Sequence, residues 1–320
     1  MGADRAPVFK PAWWLPGPHA QTLWPVMRRP RRPLALRHEQ LELPDGDALE
    51  LAHLGDHDAP RVLILHGLEG SLHSHYANGL LYALDQAGYN ATFMFFRGCN
   101  GQPNRLPRSY HSGDTEDPRF IIDFLNRTRG PVAAAVGYSL GGNVLLKYLG
   151  EEGEACPLRA AVAVSVPYRL DQASERLDRG ASRLYQRYLL SSLKRNYKRK
   201  SEKIRALQKV DVGEIKTFRE FDDRVTAPLH GFRDADDYYR RASSRQFLPG
   251  IGVPTLLLHA LDDPFMYPHT APEPGELSRS TRLLLYPRGG HVGFVSGALP
   301  GREAYVAEKV IVDYLREALA

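Results

Sequence analysis

The pentapeptide Gly137-Tyr138-Ser139-Leu140-Gly141 follows an apolar run, Val132–Val136, and precedes a helical pattern over Asn143–Glu151. A serine between a strand and a helix, flanked by glycines, fits a sharp turn that lifts its hydroxyl into a cleft. A serine hydroxyl is a weak nucleophile and needs a base to take its proton. His291, in Gly289-Gly290-His291-Val292-Gly293, is the choice for that base. It follows the last apolar run, and glycines around it suit a loop that presents an imidazole at a set angle. A carboxylate must then fix the tautomer of the imidazole and stabilise its charged form. Leu261-Asp262-Asp263-Pro264 offers two candidates after the run Thr255–His259. Asp263, directly before proline, is preferred. Asp262 is the fallback and Asp171 a distant third. Such a trio performs nucleophilic attack on an acyl carbon through a covalent intermediate.

Acyl chemistry also needs donors for the oxygen that becomes negative in the transition state. The backbone N–H of Leu140, directly after the serine, is expected to be one. The N–H of Leu68, in Leu65-His66-Gly67-Leu68-Glu69-Gly70 after an earlier apolar run, is expected to be the other. His66 reads as a structural residue of that loop and Glu69 as a loop or surface carboxylate. The remaining histidines have ordinary readings: His259 in the core, His111 in a structural hydrogen bond. His73 and His75 have a spacing that hints at metal, but no carboxylate or cysteine cluster accompanies them, so no metal and no cofactor are expected. A serine at the turn excludes the haloalkane and epoxide chemistries that need a carboxylate there. Cys99 lies on a different loop with no such turn and reads as a loop cysteine.

These residues must be held by alternating elements. Arg61–Leu65, Ala91–Phe96, Val132–Val136, Ala160–Val164, Thr255–His259 and Arg282–Tyr286 are short, continuously apolar runs. Such runs suit strands buried on both faces of a parallel sheet. Helical patterns lie at about Tyr76–Ala87, Pro118–Arg127, Asn143–Glu151 and Arg302–Leu319, which makes the fold class α/β with a mostly parallel sheet flanked by helices. Leu36–Leu54 reads as a hairpin turning at Asp45-Gly46. Between Tyr168 and Gln246 the rhythm breaks into charged helical sequence without a strand run. Residues 168–246 are therefore expected to form a helical cap inserted over the carboxyl edge of the sheet, with the core at 34–167 and 247–320. Residues 1–33 carry all three tryptophans and many prolines, and read as an irregular arm packed on the core by its aromatics.

Composition narrows the class further. The chain has 320 residues, 43% hydrophobic and 25% charged, with a formal charge of +5. That length accommodates one large core with an insertion. No apolar run reaches the roughly 18 residues of a membrane span. The start MGADRAPVFKPAWW lacks the apolar stretch of a signal peptide, and Ala6 stands where a myristoylation motif wants Ser or Thr. Two cysteines make no disulfide framework, and a cytoplasmic location with reduced thiols is expected. The charge excess reads as scattered, so nucleic acid is not an expected partner. A basic cluster at Lys194, Arg195, Lys198, Arg199, Lys200, Lys203 and Arg205 reads first as a solvated helix face, with weak peripheral membrane contact as the sharper reading.

The longer segments are more specific than any motif within them. HGLEGSLHSHYANGL, FRGCNGQPNR, YHSGDTED, GYSLGGN, REFDDRVTAPLHGF, HALDDPFM and GGHVGF, in that order, resemble the bacterial YheT-like hydrolases, relatives of the eukaryotic alpha/beta hydrolase domain lipases and esterases. PHAQTLWP near the amino terminus is similar to the entry segment of that family, and the resemblance runs from about His19 to Val295. It implies an α/β-hydrolase fold and a carboxylesterase or lipid-ester hydrolase, with the triad on Ser139, Asp263 and His291. The order Ser, Asp, His along the chain belongs to that fold. The eukaryotic relatives carry an amino-terminal membrane anchor, which this chain is expected to lack. The expected activity is hydrolysis of a small-molecule or lipid-like ester of short or medium acyl chain. A thioesterase or acyltransferase would use the same triad, and a silent binding module on a hydrolase scaffold is the rival of another class.

Overall fold

Apolar runs of five or six residues, buried on both sides, dictate the centre of the molecule. A computed structural model describes residues 9–55, 58–207 and 209–320. The Met1-Gly2 start and the first eight residues of the expected arm lie outside the described residues. Eight strands form one sheet: β1 (Arg37–Glu42), β2 (Ala48–Leu54), β3 (Arg61–Leu65), β4 (Asn90–Met94), β5 (Val132–Tyr138), β6 (Ala160–Val164), β7 (Thr255–Ala260) and β8 (Thr281–Tyr286). Their spatial order is β1-β2-β4-β3-β5-β6-β7-β8. From β4 to β8 neighbouring strands are parallel, while β1 and β2 join antiparallel at one edge. The β1–β2 turn is closed by Gly46 N–H donating to Leu43 O at 3.0 Å and Leu43 N–H donating to Asp47 O at 2.8 Å.

Side chains alternate across a strand, so each run feeds two cores. Val62 and Ile64 of β3 pack on one face with α2 (His75–Gln86) and the last helix, whereas Leu63 and Leu65 pack on the other. That second face is covered by α3 (Glu116–Thr128) and α4 (Leu140–Glu152) through Ile121, Leu125, Val144 and Leu149. Ala161 and Ala163 of β6 join the second face, and Val162 and Val164 the first. Two covered faces leave no room for polar alternation, which is why these strands read as unbroken apolar runs.

Three expectations are corrected. The arm is not irregular: residues Gly17–Arg28 form a helix, α1. Pro18 sits in its first turn, where a missing N–H costs nothing, and Pro25 is tolerated near its end. The aromatics do not all pin it down, since Trp13 is exposed; Ala12, Leu15 and Val295 form its small buried contact with the core. The final helix starts later than expected, at Val306. Ala304–Tyr305 pair instead with Val295–Ser296 as a two-residue hairpin, β9 and β10.

Between β6 and β7 the described residues form helices joined by turns and one longer non-helical stretch after α6, with no strand: α5 (Leu170–Leu177), α6 (Arg183–Lys203), α7 (Phe218–Phe221), α8 (Ala227–Leu229) and α9 (Ala235–Ala242). A single π-turn, Asp222–Thr226, links α7 to α8. The boundary expected at residue 246 falls inside a 3-10 turn, Ser244–Gly250. The insertion has its own apolar cluster of Leu190, Tyr197, Val212, Ile215, Phe221 and Val225. The last helix, α10 (Val306–Leu319), closes the first core through Val310, Ile311 and Leu315.

Candidate active site

Ser139 follows β5 and precedes α4 with φ 51° and ψ −118°, a conformation disfavoured for any residue with a Cβ. The turn is tight enough to need glycine behind it: a Cβ on Gly141 would stand 2.4 Å from His66 O and 2.5 Å from Leu65 O. His291 lies on the loop after β8. Its Nδ1 is 2.8 Å from Asp263 Oδ2 and its Nε2 is 3.1 Å from Ser139 Oγ. An ionised carboxylate only accepts, so Nδ1 carries the proton and Nε2 is left to accept from the serine hydroxyl. Asp263, after β7, is buried, and its Oδ1 accepts from Phe265 N–H at 2.8 Å.

Asp262 has a different place. Its Oδ1 accepts from Gly290 N–H at 2.9 Å, and burial holds its carboxyl above the usual range. It ties the histidine loop to β7 and does not reach the imidazole. Asp171 pairs with Arg169 at the surface.

Leu140 directly follows Ser139, and Leu140 and Leu68 both line the same cavity as Ser139 and His291. Among the described residues neither N–H finds a partner. The neighbours of Leu68 are occupied: Gly67 N–H donates to Tyr76 Oη at 2.8 Å and Glu69 N–H to Tyr110 Oη at 2.9 Å. His66 anchors the loop from beneath. Its Nε2 accepts from Phe96 N–H at 3.0 Å, so Nδ1–H donates to Gly67 O at 2.6 Å, and burial pushes its pKa down to about 4. It is a neutral structural histidine. Glu69 is not a surface carboxylate. It lines the cavity, accepts from Tyr110 Oη–H at 2.9 Å and from Asn196 of α6, and burial raises its pKa.

Several contributors were invisible along the sequence. Thr22 of α1 accepts from His291 N–H at 2.9 Å, and Ser165 after β6 accepts from Val292 N–H at 3.1 Å. The Phe265 ring stacks on His291 with centroids 3.9 Å apart and planes 5° apart. Gly290 is held against the arm, and a Cβ there would stand 2.6 Å from Pro18 O. Among the described residues five non-glycines have positive φ: Glu69, Ser139, Ser165, Val292 and Phe294. All five lie on the loops that converge here, so backbone strain is concentrated at this point of the molecule. Only glycine-rich context around Ser139 and His291 signalled any of it in advance.

The cavity measures about 640 Å³. Leu170, Leu177, Leu189, Phe218, Val225 and Leu229 of the insertion give it apolar walls. Tyr185, Tyr188 and Tyr197 also line it, but Tyr168 does not: it is fully buried in the second core beside His259. A polar end holds His111, His230 and Asp222, whose carboxyl burial pushes up to about 6. Of the other singled-out residues, His73 and His75 also line the cavity. His259 is buried in the sheet with its pKa lowered by burial to about 4. His75 is lowered to about 3 by burial. Cys99 and Cys156 are free thiols. Among the described residues no group of three or more His, Cys, Asp or Glu is placed to hold a metal ion, and no helix is long and apolar enough to cross a membrane.

Residues 60–298 match the family model described as alpha/beta hydrolase fold. YheT of Escherichia coli strain K12 is 43% identical over 305 residues, covering 93% of this chain and 89% of its own. Mouse phospholipase ABHD3 is 30% identical over 322 residues, covering 95% and 78%. Among solved structures, the Pyrococcus furiosus esterase PF2001 superposes with a TM-score of 0.59 at 16% identity, covering 90% of this chain and 92% of its own. That likeness speaks to the fold. The family match spans β3 to the histidine loop, including the turn at Ser139 and both loops that meet it, so the chain belongs to the alpha/beta hydrolase family and is YheT-like within it.

Proposed function

We propose that the chain is a serine hydrolase that cleaves carboxylic esters, with Ser139 as nucleophile, His291 as base and Asp263 as the group that orients the base. The observation that carries this reading is the continuous hydrogen-bond line from Asp263 Oδ2 through His291 to Ser139 Oγ, at 2.8 and 3.1 Å. Ser139 Oγ attacks the acyl carbon as its proton passes to His291 Nε2. The negative oxygen settles between the N–H groups of Leu68 and Leu140, which are unpartnered among the described residues until then. His291 protonates the leaving alcohol, then activates water to release the acid and regenerate the serine.

The helical insertion acts as a cap over this site. Its apolar walls and the cavity volume of about 640 Å³ suit a small-molecule or lipid-like ester of short or medium acyl chain. The Escherichia coli relative carries the name esterase and the mouse relative the name phospholipase, which agrees with this substrate class. Two free thiols fit a cytoplasmic location.

Ser139→Ala tests the assignment. Hydrolysis of p-nitrophenyl esters and labelling by a fluorophosphonate probe should both vanish while the thermal unfolding curve stays in place. Labelling that survives the substitution refutes it, and ligand binding without turnover in the wild type favours a silent binding module.

A further inference from the structure

Single exposed apolar side chains are ordinary on protein surfaces. Here they are grouped. Val26 and Met27 of α1 and Leu184 and Tyr188 of α6 are between 61% and 71% exposed. Leu23, Val26 and Met27 share one face of α1 by their spacing, as Leu184 and Tyr188 share one face of α6. The two helices meet where the His19 ring stacks on Tyr185, with His19 Nδ1 3.0 Å from Tyr185 Oη. Leu23, Val26 and Tyr188 also line the cavity, so its mouth opens between these helices.

The same rim is basic. No carboxylate occurs from Phe9 to His38, and the first in α6 is Glu202. Arg28, Arg31, Arg187, Arg195 and Lys198 are exposed, and among the described residues none of them forms an ion pair. Lys200 differs from its neighbours: it is buried and turned toward the core. Exposed apolar side chains ringed by unpaired cations are what an anionic lipid interface selects, apolar groups entering below the headgroups and cations resting on them. An anionic polymer such as nucleic acid would engage the cations and leave the apolar face in water.

We propose that the rim formed by α1 and the exposed face of α6 from Leu184 to Lys198 docks on an anionic lipid surface, so that a lipid-like ester passes from the bilayer into the cavity without crossing water. The passage of substrate rests on the hydrolase reading; the docking does not.

Co-sedimentation of the full chain with phosphatidylglycerol-containing vesicles, against pure phosphatidylcholine vesicles, tests it. The wild type should sediment with the anionic vesicles and release as salt rises. Met27→Ser/Leu184→Ser and, separately, Arg187→Glu/Arg195→Glu should each weaken binding on the order of tenfold. None of these four residues lines the cavity, so both pairs should keep wild-type turnover of a soluble short-chain ester. Ser139→Ala should sediment like the wild type. Wild-type protein that ignores anionic vesicles at low salt overturns the proposal. Binding that falls with the charge pair but not the apolar pair, alongside equal retention on a single-stranded oligonucleotide, overturns it too. A chain that sediments as described yet hydrolyses no ester leaves the docking surface standing and removes the hydrolase reading.

Discussion

Asp262 and Asp263 are adjacent in sequence but meet different partners. Asp263 reaches the imidazole at 2.8 Å, whereas Asp262 accepts from Gly290 N–H on the loop that carries it. Asp263→Asn should therefore present the wrong tautomer and lower kcat on the order of 10⁴-fold. Asp262→Asn keeps the tautomer and only loosens the loop, so its loss should be nearer about tenfold in kcat. Steady-state kinetics on one soluble ester separates the two, and equal losses would mean that both carboxylates serve the base. The loop around Leu68 admits a similar test. Tyr76 and Tyr110 hold the N–H groups on either side of Leu68, so Tyr110→Phe should lower kcat about tenfold with little change in KM. A shift in KM alone would assign Tyr110 to substrate binding. That Ser139, Asp263 and His291 meet could be read in the sequence because the serine and histidine sit among glycines and the aspartate before a proline. Thr22, Ser165 and Phe265 could not, because nothing local marks a side chain whose partner lies more than a hundred residues away or, for Phe265, whose role is a ring face.

At the scale of elements, the strands were legible because parallel strands covered on both faces are apolar at most positions, and β3 and β6 fall on the expected residues without shift. Helix α1 was not, because Pro18 and Pro25 read as breakers, whereas the first turn tolerates Pro18 and the helix runs through Pro25 with the loss of one backbone hydrogen bond. The insertion was legible as helical, but not how it is fastened. Asn143 of α4 does much of that. Its Nδ2 donates to Ser112 O at 2.7 Å and Ala242 O at 2.8 Å, and its Oδ1 accepts from Ser244 N–H at 2.9 Å. One buried amide thus joins the helix that follows Ser139 to the end of α9. Asn143→Ala strands three buried backbone groups and should cost about 3 kcal/mol or more in denaturant unfolding. A cost under about 1 kcal/mol would show that water replaces the amide. Asn143→Asp should recover only the contact from Ser244 N–H, since a carboxylate cannot donate.

Across the whole molecule, the insertion is also held by charge that the sequence presents as surface. Lys200 belongs to the basic stretch of α6, yet its ammonium is buried and donates to Asn104 Oδ1 at 2.8 Å, Ser109 Oγ at 2.8 Å and Arg108 O. The same Asn104 reaches Asp47, which Arg97 pairs at 3.0 Å. Helical periodicity cannot single out Lys200, because its acceptors come from a loop about ninety residues earlier. Burial lowers its pKa from 10.5 to about 7. Between those two values the unfolded chain holds a proton that the folded chain has released. Stability contributed at this position therefore rises with pH from about 7 toward 10 and is constant, at its least favourable, below 7. Other groups titrate in the same range, so the measurement is a difference: wild type minus Lys200→Gln, by denaturant unfolding at several pH values. The difference should grow in favour of the wild type across that window and stay flat below it. A slope of the opposite sign would mean that the three acceptors and nearby Asp47 hold the ammonium more strongly than burial disfavours it. The latch between the insertion and the core would then be strongest at neutral pH and loosen in alkali.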